Sequence, residues 1–323
     1  MRPIPLLILT IALISFSLSS AGAQNLVRIG IDKKEPALHY LPLIMAEKNG
    51  YFERHNINAD ITPYENVQDL IDDLKNETID FAISGPLFSV MAVEFDRPIR
   101  ILGVLTQGSV YYGFSHDPTL RDLDSFSPLK EGTIAIYDDD HPLTYHMTDY
   151  MRDNQADLEN IKVKPFPPQK HADLIRDETV TIAIESEPQL TALLQNRDYV
   201  RTFAFDHLIG SRAFIVISAN IERIKRNTAV AKDLMRALQE SLVALLTDPN
   251  IAVSLADEVF PEYDRSVLSD PVRALLKRSA FPLSLRFEEQ LWNKTITGLN
   301  ESGYLLEKIG YEEAVDHRFI PEE

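Results

Sequence analysis

The sequence predicts an α/β protein: two sheet-built lobes joined by a two-stranded hinge, with a helical C-terminal tail. Three observations carry this. Strand-like and helix-like segments alternate from residue 26 to about 112, the same alternation repeats over 113–205, and nearly everything after Asn220 has helical periodicity. Alternating strands and helices imply a parallel sheet with helices on both faces. Right-handed crossovers then bring the strand ends to one edge.

The elements follow in order. "LVRIGID" (26–32) alternates and is rich in β-branched residues, so it reads as a strand. "KKEPALHY" (33–40) is a loop, because Pro36 discourages helix. "LPLIMAEKNG" (41–50) is a helix with Pro42 in its first turn and a stop at Asn49-Gly50, since glycine takes a left-handed cap cheaply. Tyr51 and Phe52 follow and are expected to plug the gap between that helix and the next strand, "NADITPY" (58–64). Val67, Leu70, Ile71 and Leu74 recur at helical spacing over 66–78. Strands are expected at 79–85 and 99–109, with "VMAVEF" helical between them.

The second half repeats the logic. Strands read at 132–137, 161–166 and 179–186, with helices between and after them, and a further strand at 213–219. The joins between the halves, "SVYYGFS" (109–115) and "YVRTFAF" (199–205), look like strands. Two such crossings make a hinge with a cleft beside it. The tail is then a long helix ending at Pro249 and shorter ones near 266–279 and 287–301. Lobe one is expected at 26–112 plus 206–323, and lobe two at 113–205.

Composition bounds the function. Residues 1–23 have a positive start at Arg2, the short apolar run "LLILTIALISF" and the small-residue motif "AGA". That is a secretory leader, too short to span a membrane. No later segment is long and apolar, so no membrane insertion of the mature chain is expected. The chain has no cysteine. That closes the lipoprotein route as well as disulfide and thiol chemistry. A net charge of −17 argues against nucleic acid and anionic membranes as partners.

"LPLIMAEKNGYFERHNINADI" resembles a segment of the periplasmic substrate-binding proteins of ABC transporters, in the NMT1/THI5-like group that serves taurine, alkanesulfonate, nitrate and thiamine-pyrimidine uptake. "LIDDLKNETIDFAISGP", "LKEGTIAIYDDD", "TVTIAIESEP" and "LWNKTITGLNESGYL" resemble further family segments in the same order. The resemblance covers about 26–305. It implies the type II periplasmic binding architecture, a periplasmic location, monomeric behaviour, an ABC permease and its ATPase as partners, and no cofactor.

In open α/β sheets ligands sit beyond the carboxyl ends of strands, where helix N-termini point. That rule nominates His39, Tyr40, Ser84, Gly85, Gln107 and Ser109 in lobe one. In lobe two it nominates Asp138, Asp139, His141, Glu185 and Glu187. Each has a plainer alternative: a loop histidine, a helix cap, a turn residue. Relatives that take sulfonates show small residues where this chain has Asp138–Asp140. Carboxylates there, with Glu185 and Glu187, disfavour a bare anion. The ligand expected is an aminopyrimidine or another amine-bearing solute, and a sulfonate- or nitrate-type ligand is the alternative.

No enzyme motif stands out: there is no G-x-S-x-G elbow, P-loop or G-x-G-x-x-G. His141 and His146 are five apart, off one helical face, and the sixth position of an EF-hand would be Leu143, so no metal site is expected. The eukaryotic pyrimidine synthases of similar fold rely on a cysteine-rich motif that this chain lacks. A binding protein without catalytic residues is the expectation. A receptor rather than a transporter is the alternative reader of its closure, and a degenerate enzyme is a third reading.

Overall fold

The computed structural model describes residues 24–137, 141–154, 159–196, 198–301 and 303–321. The expected leader, and the expected site residues Asp138 and Asp139, lie outside the described residues. Among the described residues, ten strands form two five-stranded sheets. The first sheet has β1 (Asn25–Asp32), β2 (Ile57–Tyr64), β3 (Phe81–Ser84), β4 (Ile99–Thr106) and β10 (Ile215–Asn220), in the order β2-β1-β3-β10-β4. The second has β5 (Tyr111–Ser115), β6 (Gly132–Ile136), β7 (Ile161–Pro165), β8 (Ile182–Ser186) and β9 (Val200–Ala204), in the order β7-β6-β8-β5-β9.

The two orders are the same pattern. In each sheet one strand enters from the other half of the chain, and it lies antiparallel to both neighbours. The sheets are therefore mixed, not parallel as the alternation predicts. Strands reached by helical crossovers run parallel, while a strand fed by the crossing chain arrives from the opposite side. The two joins do pair as antiparallel strands, with Tyr112 opposite Ala204 and Ser115 opposite Val200. The second join adds a short helix, Phe205–Ile209, before β10.

Local chemistry explains the elements around the cleft. The helix Leu41–Lys48 begins with Pro42 and stops before Gly50, whose φ of 71° is left-handed. Gly50 then starts one more turn, Tyr51–Arg54. Phe52 is buried in the core as expected, and Tyr51 lies half-buried under the Arg54 guanidinium, 3.8 Å from the ring centre. In β1, Gly30 admits the helix Val67–Lys75, because a Cβ there would meet Leu70 Cδ1 at 2.2 Å.

The tail is almost wholly helical. Thr228–Thr247 turns Ala231, Leu234, Leu238, Leu242 and Leu245 inward at helical spacing, each leucine worth about 2 kcal/mol on burial. The Ser241 hydroxyl on that face donates to Pro42 O at 2.7 Å, tying the tail to the first helix. Pro249 does not only end this helix; it starts another, Pro249–Val259. Among the described residues, no helix is long and apolar enough to cross a membrane. One apolar cluster runs continuously from Val27 and Ile29 of the first sheet to Ile134 and Ile182 of the second, so the facing surfaces are packed together.

Asn220, at the end of β10, is buried and caps the helix Ile221–Arg226. Its Oδ1 accepts the N–H groups of Glu222 at 3.0 Å and Arg223 at 3.4 Å, and its Nδ2 donates to Lys75 O at 3.0 Å. Asn220→Ala loses the cap and removes the donor to the Lys75 carbonyl. It should cost about 1–3 kcal/mol in urea unfolding, and Asn220→Asp should recover only the cap. Equal stability of all three proteins would refute this account.

Candidate functional site between the two sheets

The loop after β1 and the 3-10 turn Ala37–Tyr40 place Glu35 and His39 four residues apart, both fully buried. Glu35 Oε2 lies 3.0 Å from His39 Nδ1. Opposite them stand Tyr111, which opens β5, and His141, which caps the helix Pro142–Asp153. Tyr111 Oη is 2.9 Å from His141 Nε2 and 3.5 Å from Glu35 Oε2. Aromatic rings surround this group. Tyr111 meets His39, Tyr137 and His141 edge-on or nearly so, at centroid distances of 5.7, 5.3 and 5.4 Å. Phe214, in the second crossing, sits 5.5 Å from His39 and 5.4 Å from His146.

The hydrogen bonds assign the protons. His141 Nδ1 accepts the Leu143 N–H at 3.2 Å, so Nε2 carries the hydrogen and donates to Tyr111 Oη. The Tyr111 hydroxyl hydrogen then points to Glu35 Oε2, which also accepts from His39 Nδ1–H. With Glu35 ionised, two acceptors remain: Glu35 Oε1 and the lone pair on His39 Nε2. Both are buried without a hydrogen-bond partner among the described residues. His141 Nε2 approaches Oε1 only to 3.7 Å.

Burial sets the charge states. It pushes the Glu35 carboxyl above its usual range, with His141 and the Tyr111 hydroxyl pulling the other way. It holds His39 and His146 down to about 3 and His141 down to about 4, so all three are neutral at pH 7. Burial also holds the Tyr111 and Tyr137 phenols protonated, well above 10. The centre is thus buried and ring-lined; Glu35 Oε1 and His39 Nε2 are its unpaired acceptors, with the Tyr145 hydroxyl and both His146 nitrogens also unpaired beside it among the described residues.

The residues nominated from strand ends divide. His39 and His141 come together at this centre, and His39 is buried rather than an exposed loop residue. Glu185 joins at its edge, accepting the Tyr137 hydroxyl at 3.2 Å and the Ser186 N–H at 2.8 Å, with burial raising its pKa. The others are engaged in the fold. Tyr40 donates to Asp32 O at 3.0 Å, Ser109 Oγ accepts the Tyr111 N–H at 3.0 Å, and Gln107 donates to Ser279 O at 3.2 Å. Glu187 accepts the Thr191 N–H at 3.0 Å, and burial raises its pKa too. Ser84 is buried with its hydroxyl 3.4 Å from Gly85 O, and Gly85 is the residue before the helix Pro86–Glu94. Glu35, Tyr111, Tyr137 and Phe214 were not nominated. The tyrosine pair of "SVYYGFS" was the available signal, since adjacent strand residues face opposite sides and one of the two had to face the cleft.

A second contact joins the two parts away from the centre. The tail helix Glu289–Glu301 packs on the helix Pro142–Asp153. Gly298 permits this, because a Cβ there would stand 2.8 Å from Asp149 Oδ2. Arg152 reaches Asp149, Asp153 at 3.0 Å and Glu301 at 2.6 Å. These three carboxylates are close enough together for a metal ion, but the Arg152 guanidinium sits among them. Tyr145 reaches from the same helix into the apolar cluster around Trp292, 5.6 Å from the Tyr304 ring.

This fold defines a class, the two-lobed α/β architecture of its solved neighbours. It matches the periplasmic aliphatic sulphonate binding protein SsuA of Escherichia coli with a TM-score of 0.70 at 12% identity, over 92% of this chain and 94% of that one. It also matches a ligand-binding component of an ABC-type import system from Staphylococcus aureus, solved with zinc bound, with a TM-score of 0.69 at 15% identity, over 92% and 98%. The periplasmic nitrate-binding protein NrtA of Synechocystis PCC 6803 matches with a TM-score of 0.64 at 12% identity, over 92% and 87%. All three neighbours are named as binding proteins or binding components. Sequence comparison with curated proteins gives no match. Residues 38–252 match the family model described as NMT1/THI5 like. The chain belongs to the NMT1/THI5-like family.

Proposed function

We propose that the protein is a secreted solute-binding protein of an ABC importer, clamping a flat, amine-bearing solute, of the aminopyrimidine kind, without altering it. One observation carries the reading: the two buried polar atoms left unused at the centre, Glu35 Oε1 and His39 Nε2, are both acceptors. A ligand N–H on each would satisfy them, and the rings of Tyr111, Tyr137 and Phe214 would cover its faces. A sulfonate or nitrate would bring negative charge against an uncompensated carboxylate. In this the chain differs from what its sulphonate- and nitrate-binding neighbours are named for.

The moving bodies are 26–112 with 206–323 on one side and 113–205 on the other, hinged at the paired joins. Ligand binding holds them shut, and a permease with its ATPase reads the shut state. The leader at 1–23 and the family together support a periplasmic location.

A thermal-shift panel of 4-aminopyrimidine, simple amines, taurine and nitrate tests this. Ligand at about 100 times its dissociation constant adds about 2.7 kcal/mol of stability. The amine-bearing compounds should raise the melting temperature and the anions should not. A shift with taurine or nitrate alone would overturn the ligand class. A chemically changed solute would overturn the binding role.

A further inference from the structure

The first sheet has a second concave site, at the end remote from the cleft. β3 and β4 both run antiparallel to β10, so they are parallel to each other, and the start of β4 faces away from the strand ends that carry Glu35 and His39. At that start a groove of about 730 Å³ opens beneath the C-terminal segment. Its walls carry four cations: Arg100, Lys225, Arg286 and Arg318.

The walls also carry three carboxylates, Glu222, Glu312 and Asp316, so the cations outnumber them. Glu222 is held by Lys225 at 2.8 Å, and Asp316 by Arg318 at 2.5 Å. Arg100 and Arg286 have no carboxylate within 4.0 Å among the described residues; Arg100 donates only to its neighbour's carbonyl, Ile99 O, at 2.8 Å. Two guanidiniums outside any ion pair thus share one groove with a single such carboxylate, Glu312, in a chain whose net charge is −17.

The hydrogen bonds at His317 point the same way. The Phe287 N–H approaches its Nε2 at 3.0 Å, and Arg286 Nη1 approaches its Nδ1 at 3.0 Å. A neutral imidazole can accept at only one nitrogen. If Nε2 accepts from Phe287, the hydrogen sits on Nδ1. It then donates to Tyr311 Oη at 3.3 Å, whose own hydrogen goes to Phe287 O at 2.7 Å. Arg286 is left facing another donor. If Nδ1 accepts from Arg286 instead, the buried Phe287 amide faces an N–H. Either tautomer leaves one donor too many, and a protonated ring makes it worse. Burial, reinforced by Arg286, keeps that ring neutral, with its pKa down at about 4.

A surplus of donors beside two unpaired guanidiniums calls for an acceptor. We propose that this groove binds a small oxyanion, a free phosphate or the phosphate or carboxylate head of a larger solute, between Arg286 and Arg100, with Lys225 at its edge. Planar guanidiniums suit such heads by paired hydrogen bonds. The anion would turn Arg286 away from His317 and leave that ring one consistent tautomer. The groove's polarity is opposite to that of the cleft, so it is a separate site and its ligand a separate one.

The test is thermal melting of the whole mature chain in sodium phosphate, sodium acetate and sodium chloride at matched ionic strength, near neutral pH, with about 20 mM of each test anion. Phosphate should raise the melting temperature above that in chloride. Arg286→Gln and Arg100→Gln should each remove most of that increment, and Arg121→Gln, an exposed arginine outside the groove, should keep it. A response to acetate as well as phosphate identifies a general oxyanion head, and a response to phosphate alone a tetrahedral one. If Arg286→Gln folds poorly in chloride, Arg100→Gln carries the test. The ¹⁵N shifts of the His317 ring should also move on phosphate addition in the wild type. An increment equal in all four proteins, or none in the wild type, overturns the proposal.

Discussion

Glu35→Gln is expected to weaken capture of an amine-bearing solute at least 100-fold while leaving the fold intact. The amide oxygen can still accept from His39 Nδ1–H and from the Tyr111 hydroxyl, so the internal bonds of Glu35 Oε2 survive. The change falls on the other atom. Oε1, an unused buried acceptor, becomes an NH₂ that meets the solute's own N–H donor to donor. Losing a charged hydrogen bond and leaving a buried donor unpaired costs about 3 kcal/mol or more, which is about 100-fold in affinity. The unliganded protein should be as stable as the wild type or more so, because a buried carboxylate with neutral partners is replaced by a neutral group. Titration calorimetry with whichever panel amine binds, alongside urea unfolding, measures both arms. An affinity within threefold of wild type would show that Glu35 does not touch the solute.

His146→Phe should stabilise the unliganded protein, and the gain should grow as the pH falls. Neither ring nitrogen of His146 has a hydrogen-bond partner among the described residues, and its ring is buried beside Phe214 and Tyr145. Removing unsatisfied buried polar atoms is worth about 1–3 kcal/mol. The pH dependence comes from protonation. The unfolded chain binds a proton on this ring near 6.5, whereas in the folded protein burial, with Arg212 nearby, holds it back to about 3. The folded state therefore keeps its full contribution above pH 6.5 and loses about 1.4 kcal/mol per pH unit below it, down to about 3. The raised carboxyls of Glu35, Glu185 and Glu187 titrate with the opposite sign. They are common to both proteins and cancel in the difference. Between pH 6.5 and 5 the advantage of the variant should widen by about 2 kcal/mol in urea unfolding. A constant or shrinking difference would contradict a buried, neutral His146.

Much of the fold could be read from local chemistry. The helix that stops at Gly50, the apolar spacing of 67–74, the two alternating halves and the helical tail all rest on signals within one or two turns of chain. Strand direction does not. That β5 and β10 lie antiparallel depends on which sheet each joins after a crossing, and no periodicity encodes that. The helix Pro249–Val259 was hidden because a proline that ends one helix also suits the start of the next.

The site divided for similar reasons. His39 and His141 were legible because they stand just after strands, where helix starts face a cleft. Glu35 lies in the same loop as His39, yet in so acidic a chain a glutamate reads as solvated. Tyr111 and Tyr112 are adjacent and chemically alike. Only the register of β5 shows that the first turns to Glu35 while the second lies against Arg201 and Arg278. Phe214 falls at the start of the expected strand 213–219, just before β10, and nothing in an almost wholly apolar strand marks one residue for the cleft.

The packing of the tail helix on Pro142–Asp153 has a kinetic consequence. If the two halves rock about the backbone crossings as proposed, Gly298 against Asp149 and Arg152 among its carboxylates would form a third tether between them. Arg152 and Glu301 keep access to solvent, so dissolved ions loosen that tether while leaving the ring-lined centre untouched. On the proposed clamping, residence time and affinity would be lodged in different places: the salt content of the surroundings would set how long the halves stay together, and the centre what they hold.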